Sequence, residues 1–327
     1  MMETTQFLHR IRDILGPPPS HQGDSFNFMS YREPRTWFVC PQDGNTGNDG
    51  RDRRRPLATI AGALAKCRPG DTVEFWGNVT EEITANNLLF DITIRGLANR
   101  PRHADAARDD IGLLPSGASW REAASHGAST SLLNIRAQGW KLENILFVPP
   151  SDAGAVQLNR NALSGASEFD ASHAHFKNCR FAGGQDGIRD SGGAFNVRVE
   201  DCIFQAQTVN GILTVDTAVA VPLMWDVRDC YFVDNANHIR VSASKWRIHN
   251  NIFGPIGSGV GITLVHVAGQ GAGNIVTKNY LSGDYDGEYL GGTGDEWAGN
   301  YSQDLTSDEV GGAASALNPL TTAAPIA

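Results

Sequence analysis

Six stretches of the chain spell one eight-residue phrase: WKLENILF (140–147), AHFKNCRF (174–181), VRVEDCIF (197–204), WDVRDCYF (225–232), WRIHNNIF (246–253) and NIVTKNYL (274–281). A degraded seventh copy reads DEWAGNYS (295–302). The third position is apolar in each full copy: Leu142, Phe176, Val199, Val227, Ile248 and Val276. The fifth is Asn144, Asn178, Asp201, Asp229, Asn250 and Lys278; the eighth is Phe147, Phe181, Phe204, Phe232, Phe253 and Leu281. Fifth positions recur at intervals of 34, 23, 28, 21 and 28 residues, which is the mark of a repeat architecture. Alternation within each phrase has period 2, so the phrase holds strands and not a helix. Asn or Asp at the fifth position makes a tight turn, because those residues tolerate left-handed backbone and bond their own main chain.

A second strand follows at a shorter, variable distance: Asp186-Gly-Ile-Arg, Asn210-Gly-Ile-Leu, Asn237-His-Ile-Arg, Val260-Gly-Ile-Thr and Asp286-Gly-Glu-Tyr. A chain that passes through two or three short strands per coil in this way is a parallel β-helix. One coil cannot bury its apolar face alone, whereas stacked coils bury a continuous column.

The repeats resemble the right-handed parallel β-helix superfamily, which includes pectate-lyase-like enzymes and phage tailspikes. The resemblance covers about residues 36–303 and takes in Trp37-Phe-Val, Asn48-Asp-Gly, Pro56-Leu-Ala-Thr-Ile and Pro69-Gly-Asp-Thr-Val. It implies an all-β, right-handed solenoid. The matching positions serve packing and turns, so it speaks for fold and not for activity.

The chain has 327 residues and a net charge of −9. An acidic chain lacks the clustered Lys and Arg that phosphate contacts need, so no nucleic-acid partner is expected. The run Arg51-Asp-Arg-Arg-Arg55 is locally basic and reads most simply as a solvated turn. No run approaches the ~20 apolar residues of a membrane helix, and the start MMETTQ lacks a signal-peptide pattern. Cys179, Cys202 and Cys230 share the sixth position, which predicts thiols stacked coil over coil at about 4.8 Å. A disulfide between neighbouring coils is compatible with that spacing but leaves one of five cysteines over. Buried free thiols acting as small apolar residues suit the pattern better, and a reduced interior suits assembly in a cytoplasm.

In chain order, residues 1–35 form a separate arm, with Phe7, Leu8, Ile11, Ile14 and Leu15 at helical spacing before Pro17-Pro-Pro. Phe7, Leu8, Ile11 and Leu15 are its candidate partner contacts. Residues 36–76 open the solenoid, with a short helix from Thr59 to Lys66, N-capped by Thr59, covering the open first coil. Residues 98–130 break the period and read as a long inserted loop with Trp120 in its middle; residues 150–171 form a smaller insertion. Asn250/Asn251, Asn279 and Asn300 suggest an amide ladder. Residues 304–327 leave the repeat as an extended C-terminal tail.

Sugar cleavage on such a scaffold needs paired carboxylates about 5–9.5 Å apart, or a base with a cation that stabilises an enolate. Candidate acids near the second strands are Asp186, Asp190, Asp216 and Asp234, although Asp186 and Asp234 lie in turn contexts. His238, Arg240, Lys245 and Arg247 form the most lyase-like group, yet Arg247 and His249 flank Ile248 and point outward. Asp284, Asp286 and Glu288 alternate as Ca²⁺ ligands would, without the full loop pattern. His173 and His175 share a strand face without a recognisable third ligand. The motif sets of polygalacturonases, mannuronan epimerases and pectate lyases are absent. No cofactor is therefore expected. The expectation is a virion structural protein made in a host cytoplasm: a homotrimeric β-helix that decorates or cements a phage capsid. Its arms would dock on the major capsid protein or another virion protein. The alternative is a tailspike-type depolymerase, glycoside hydrolase or lyase, or an adhesin for host-surface polysaccharide.

Overall fold

A computed structural model describes residues 33–86, 88–97, 117–121, 131–159, 171–214, 223–242, 244–257, 259, 261–265, 273–282, 289–290 and 295–302. The chain divides after Glu33, and all described strands belong to the unit that begins at Pro34. The expected helical arm with Phe7, Leu8, Ile11 and Leu15, and the tail 304–327, lie outside the described residues.

That unit is a right-handed parallel β-helix. Sheet A has ten strands, from Thr36–Val39 to Glu296–Ala298. Sheet B has nine, from Gly77–Val79 to Tyr301–Ser302, and sheet C eight, from Ile83–Thr84 to Tyr289–Leu290. Each phrase contributes one strand to A and one to B, and the short follow-on segments form C. Register is kept coil to coil. Leu142, Phe176, Val199, Val227, Ile248 and Val276 pair in succession on A, and Ile188, Ile212, Ile239, Ile262 and Tyr289 on C.

Corners require left-handed backbone. Asn144, Asn178, Asp201, Asp229, Asn250 and Lys278 turn from A to B with φ between 51° and 59°. A second corner, leading into A, uses Gly139, His173, Asn196, Met224, Lys245 and Gly273. The interior is layered by residue type. Phe147, Phe181, Phe204, Phe232 and Phe253 stack with centroids 5.2, 4.7, 4.7 and 4.9 Å apart. All five cysteines are free and buried; the Cys202 thiol donates to the Glu200 carbonyl at 3.2 Å, and burial between Cys179 and Cys230 pushes its pKa up. The thiol column passes into an amide ladder. The Cys230 N–H donates to Asn251 Oδ1, Asn251 N–H to Asn279 Oδ1, and Asn279 N–H to Asn300 Oδ1, at 2.9, 2.9 and 3.0 Å. The ladder is therefore built from Asn251, and Asn250 takes the corner.

Three expectations are corrected. Residues 150–171 are not wholly an insertion, because Val156–Leu158 is a strand of sheet C. Residues 98–130 are not one loop: Ala118–Arg121 is a strand of sheet B, and Trp120 is fully buried above Phe147 at 5.9 Å. Residues 93–96 and 118–121 are thus one phrase with an insertion at its corner. The helix is Ile60–Leu64, shorter than expected, with Thr59 Oγ1 accepting from the Gly62 N–H at 3.1 Å. Glu81 accepts from the Ile60 and Ala61 N–H groups at 2.8 and 2.9 Å, which ties the helix to the coil it covers.

Candidate ligand-binding face

Side chains alternate across a strand. With the Leu142-to-Val276 column inside, the residues on either side of it face out from sheet A, in two columns. One column runs Glu74, Arg95, Glu143, Lys177, Glu200, Arg228 and His249. In-register stacking sets neighbours about 4.8 Å apart, where like charges repel. Alternation of sign turns that repulsion into ion pairs. Arg95 bridges Glu74 and Glu143 at 3.4 and 2.7 Å, and Glu200 is held by Lys177 at 2.7 Å and Arg228 at 2.5 Å. Burial works against the charged form of Glu200. The bonds from Lys177 and Arg228, with His175 nearby, outweigh it and hold the carboxyl at about 2.

The other column runs Lys141, His175, Arg198, Asp226 and Arg247. Here the cations are spare. Lys141, Arg198 and Arg247 are exposed, and among the described residues no acid pairs with them. Asp226 is taken by His249 Nε2 at 2.9 Å and Arg228 at 3.8 Å. His175 sits between Lys141 and Arg198. Its Nε2 is buried and stands 3.3 Å from Glu200 Oε1. Burial lowers its pKa, against the pull of Glu200, so the ring is neutral at pH 7.

The sequence-selected residues fall elsewhere. Asp186 and Asp190 are the two ends of one strand, Asp186–Asp190, about 13 Å apart at roughly 3.3 Å per residue. They are no carboxylate pair. Asp186 accepts from Asn210 Nδ2 at 2.7 Å and faces Arg189 at 3.5 Å; burial raises its pKa. Asp190 accepts from the Gly192, Gly193 and Ala194 N–H groups and shapes a turn. His238 is fully buried, with Nε2 donating to the Gly254 carbonyl and Nδ1 accepting from Asn235, both at 3.0 Å. Burial pushes it down to about 4. Arg240 lies exposed on sheet C, Lys245 at a corner and Arg247 on sheet A, so the expected lyase group is dispersed. His173 is a corner residue bonded to Asn196, apart from His175. No three His, Cys, Asp or Glu among the described residues could hold a metal. Asp216, Asp284, Asp286 and Glu288 lie outside the described residues.

A histidine with cations on either side, sought at His238, is found instead at His175, between Lys141 and Arg198. The signal was available: reading the second position of the phrase down its copies gives Lys141, His175, Arg198, Asp226, Arg247. The fold also brings together Asp201, Asp229 and Asn250 at one corner. They line a shallow groove of about 430 Å³ with Ile203, Tyr231 and Ile252 of sheet B.

No protein family matches the chain, and no curated protein matches it. Solved structures of similar path include a pectin methylesterase from Aspergillus niger in deglycosylated form. It is 16% identical with a TM-score of 0.48, over 85% of this chain and 90% of that one. They also include pectin methylesterase PemA from Erwinia chrysanthemi, at 11% identity and TM-score 0.40 over 84% and 91%. A third is pectate lyase Pel9A, at 13% and 0.40 over 82% and 75%. These likenesses concern the coiling of the chain and not its chemistry.

Proposed function

We propose that the protein binds an acidic polysaccharide laid along the outer face of sheet A, parallel to the solenoid axis. The observation that carries this reading is the column of spare cations, Lys141, Arg198 and Arg247, on a chain whose net charge is −9. Structural charges on this face are already paired in the neighbouring column, so the spare ones are not needed to hold the coils. The extended face suits a linear polymer with a regular repeat. Affinity electrophoresis with acidic and neutral polysaccharides tests it. Acidic polymers are expected to retard the protein, and Arg198→Gln with Arg247→Gln to weaken binding about tenfold or more. Unchanged binding by the double variant sinks the reading.

The virion assembly role depends on the arms, residues 1–35 and 304–327, of which 33–35 alone are described; the described coils carry the glycan reading further.

A further inference from the structure

We infer that the polymer bound on sheet A carries its negative charge on every second sugar, an acidic residue alternating with a neutral one. This deepens the acidic-polysaccharide reading and rests on it. In register, the outer column reads Lys141, His175, Arg198, Asp226, Arg247 on five successive coils. The cations occupy alternate coils, so they are about 9.6 Å apart, twice the roughly 4.8 Å between strands. The coils between them carry a neutral imidazole and an aspartate. A pyranose in an extended chain advances by nearly the distance of one coil, so successive sugars meet successive side chains of this column. Carboxylates on alternate sugars then fall on Lys141, Arg198 and Arg247. A polymer charged on each sugar would also place a carboxylate against Asp226, whose partners His249 and Arg228 lie in the neighbouring column. It would place another against His175, which supplies no charge.

A carboxylate in contact with a cation is held more strongly than one displaced by a coil, because the attraction falls with distance. In the neighbouring column Lys177 and Arg228 are engaged by Glu200, and Arg228 also faces Asp226 at 3.8 Å.

The test compares hyaluronan and unsulfated chondroitin, which alternate acidic and neutral sugars, with polygalacturonate, which is charged at each residue. Chains are matched in length and titrated calorimetrically against the full chain. The alternating polymers are expected to bind at least about tenfold tighter. Asp226→Asn removes the negative spacer and is expected to cut that preference by strengthening polygalacturonate alone. Thermal melts confirm that the variant is folded, and Asp226→Ser provides a second removal of the charge. Equal or tighter binding of polygalacturonate by the native chain overturns the alternation while leaving the acidic-polysaccharide reading intact. So does a preference that survives both Asp226 variants unchanged. Failure of all three polymers to bind overturns the underlying reading itself.

Discussion

At Glu200, three neighbours act on one carboxylate, and the consequence is visible in pH. Its folded pKa of about 2 lies below its ordinary 4.5. A depressed carboxylate contributes stability fully above the ordinary value and loses it as pH falls toward the folded one. Glu200→Gln is expected to cost about 1–2 kcal/mol at neutral pH, since Lys177 and Arg228 can still reach water. Urea melts at stepped pH check this: the gap between native and variant should narrow below pH 4.5 and close near 2. A gap that stays constant contradicts the ion-pair account. A second residue-scale prediction concerns Met224, exposed and left-handed with φ 58°. Left-handed backbone costs a non-glycine residue about 1–2 kcal/mol, less for Asn. Met224→Asn is therefore expected to stabilise by about 0.5–1 kcal/mol in the same melts. These two positions also show what one residue discloses. Asn144, Asn178 and Asn250 announce their corners because Asn adopts that conformation cheaply. Met224, Lys245 and His173 adopt it because the stacked coils on either side impose it, and nothing in their chemistry gives it away.

The strands were legible because their interior positions repeat in kind. The phenylalanine column follows from reading the eighth position, and Phe204 lies within it at 4.7 Å from both Phe181 and Phe232. Phe204→Ala is expected to cost about 3–5 kcal/mol, since the rings above and below are fixed by their own coils and cannot close the gap. Calorimetric melting reads the loss, and a cost under about 1 kcal/mol would mean that the column collapses to fill it. In the amide ladder, Asn279→Ala leaves both the Asn251 N–H and its Nδ2 without their acceptor. The expected cost is about 2–4 kcal/mol, from two buried donors left unmade. What the elements concealed has two physical causes. Trp120 completes a phrase whose halves are separated by an insertion, so no eight-residue window contains it. His238 occupies the place of Gly187, Gly211 and Gly261 in the other coils. At Gly187 and Gly261 an added Cβ would come within 2.7 and 2.4 Å of the Phe204 and Tyr289 rings. That alignment marks an inward position, whereas the sequence pattern alone places His238 in a lyase-like group.

Across the molecule, the faces differ because the coils repeat their interior and vary their exterior. Sheet A is charged at successive outer positions, whereas the sheet B strands from Ile203–Gln205 to Tyr301–Ser302 carry no charged side chain. Pattern arguments find the interior, where packing demands sameness, and say less about the outer columns, where neighbouring coils demand only that charges not repel. Stability in such a column is a sum of nearest-neighbour terms, so damage at one end should not be felt at the other. The first coil supplies the test. Glu81 anchors the Ile60–Leu64 helix through two N–H groups, and that helix buries Ile60, Ala63 and Leu64 over the opening strands. Glu81→Ala should loosen the helix and raise amide exchange in Thr36–Val39 and Thr72–Phe75. Exchange in Arg198–Glu200, Asp226–Arg228 and Arg247–His249, several coils away, should not change. The ligand face would then keep its affinity in a variant whose first coil frays. If exchange rises evenly from the first coil to His249, the column melts as one cooperative unit, and the independence of its binding face from its cap is lost with it.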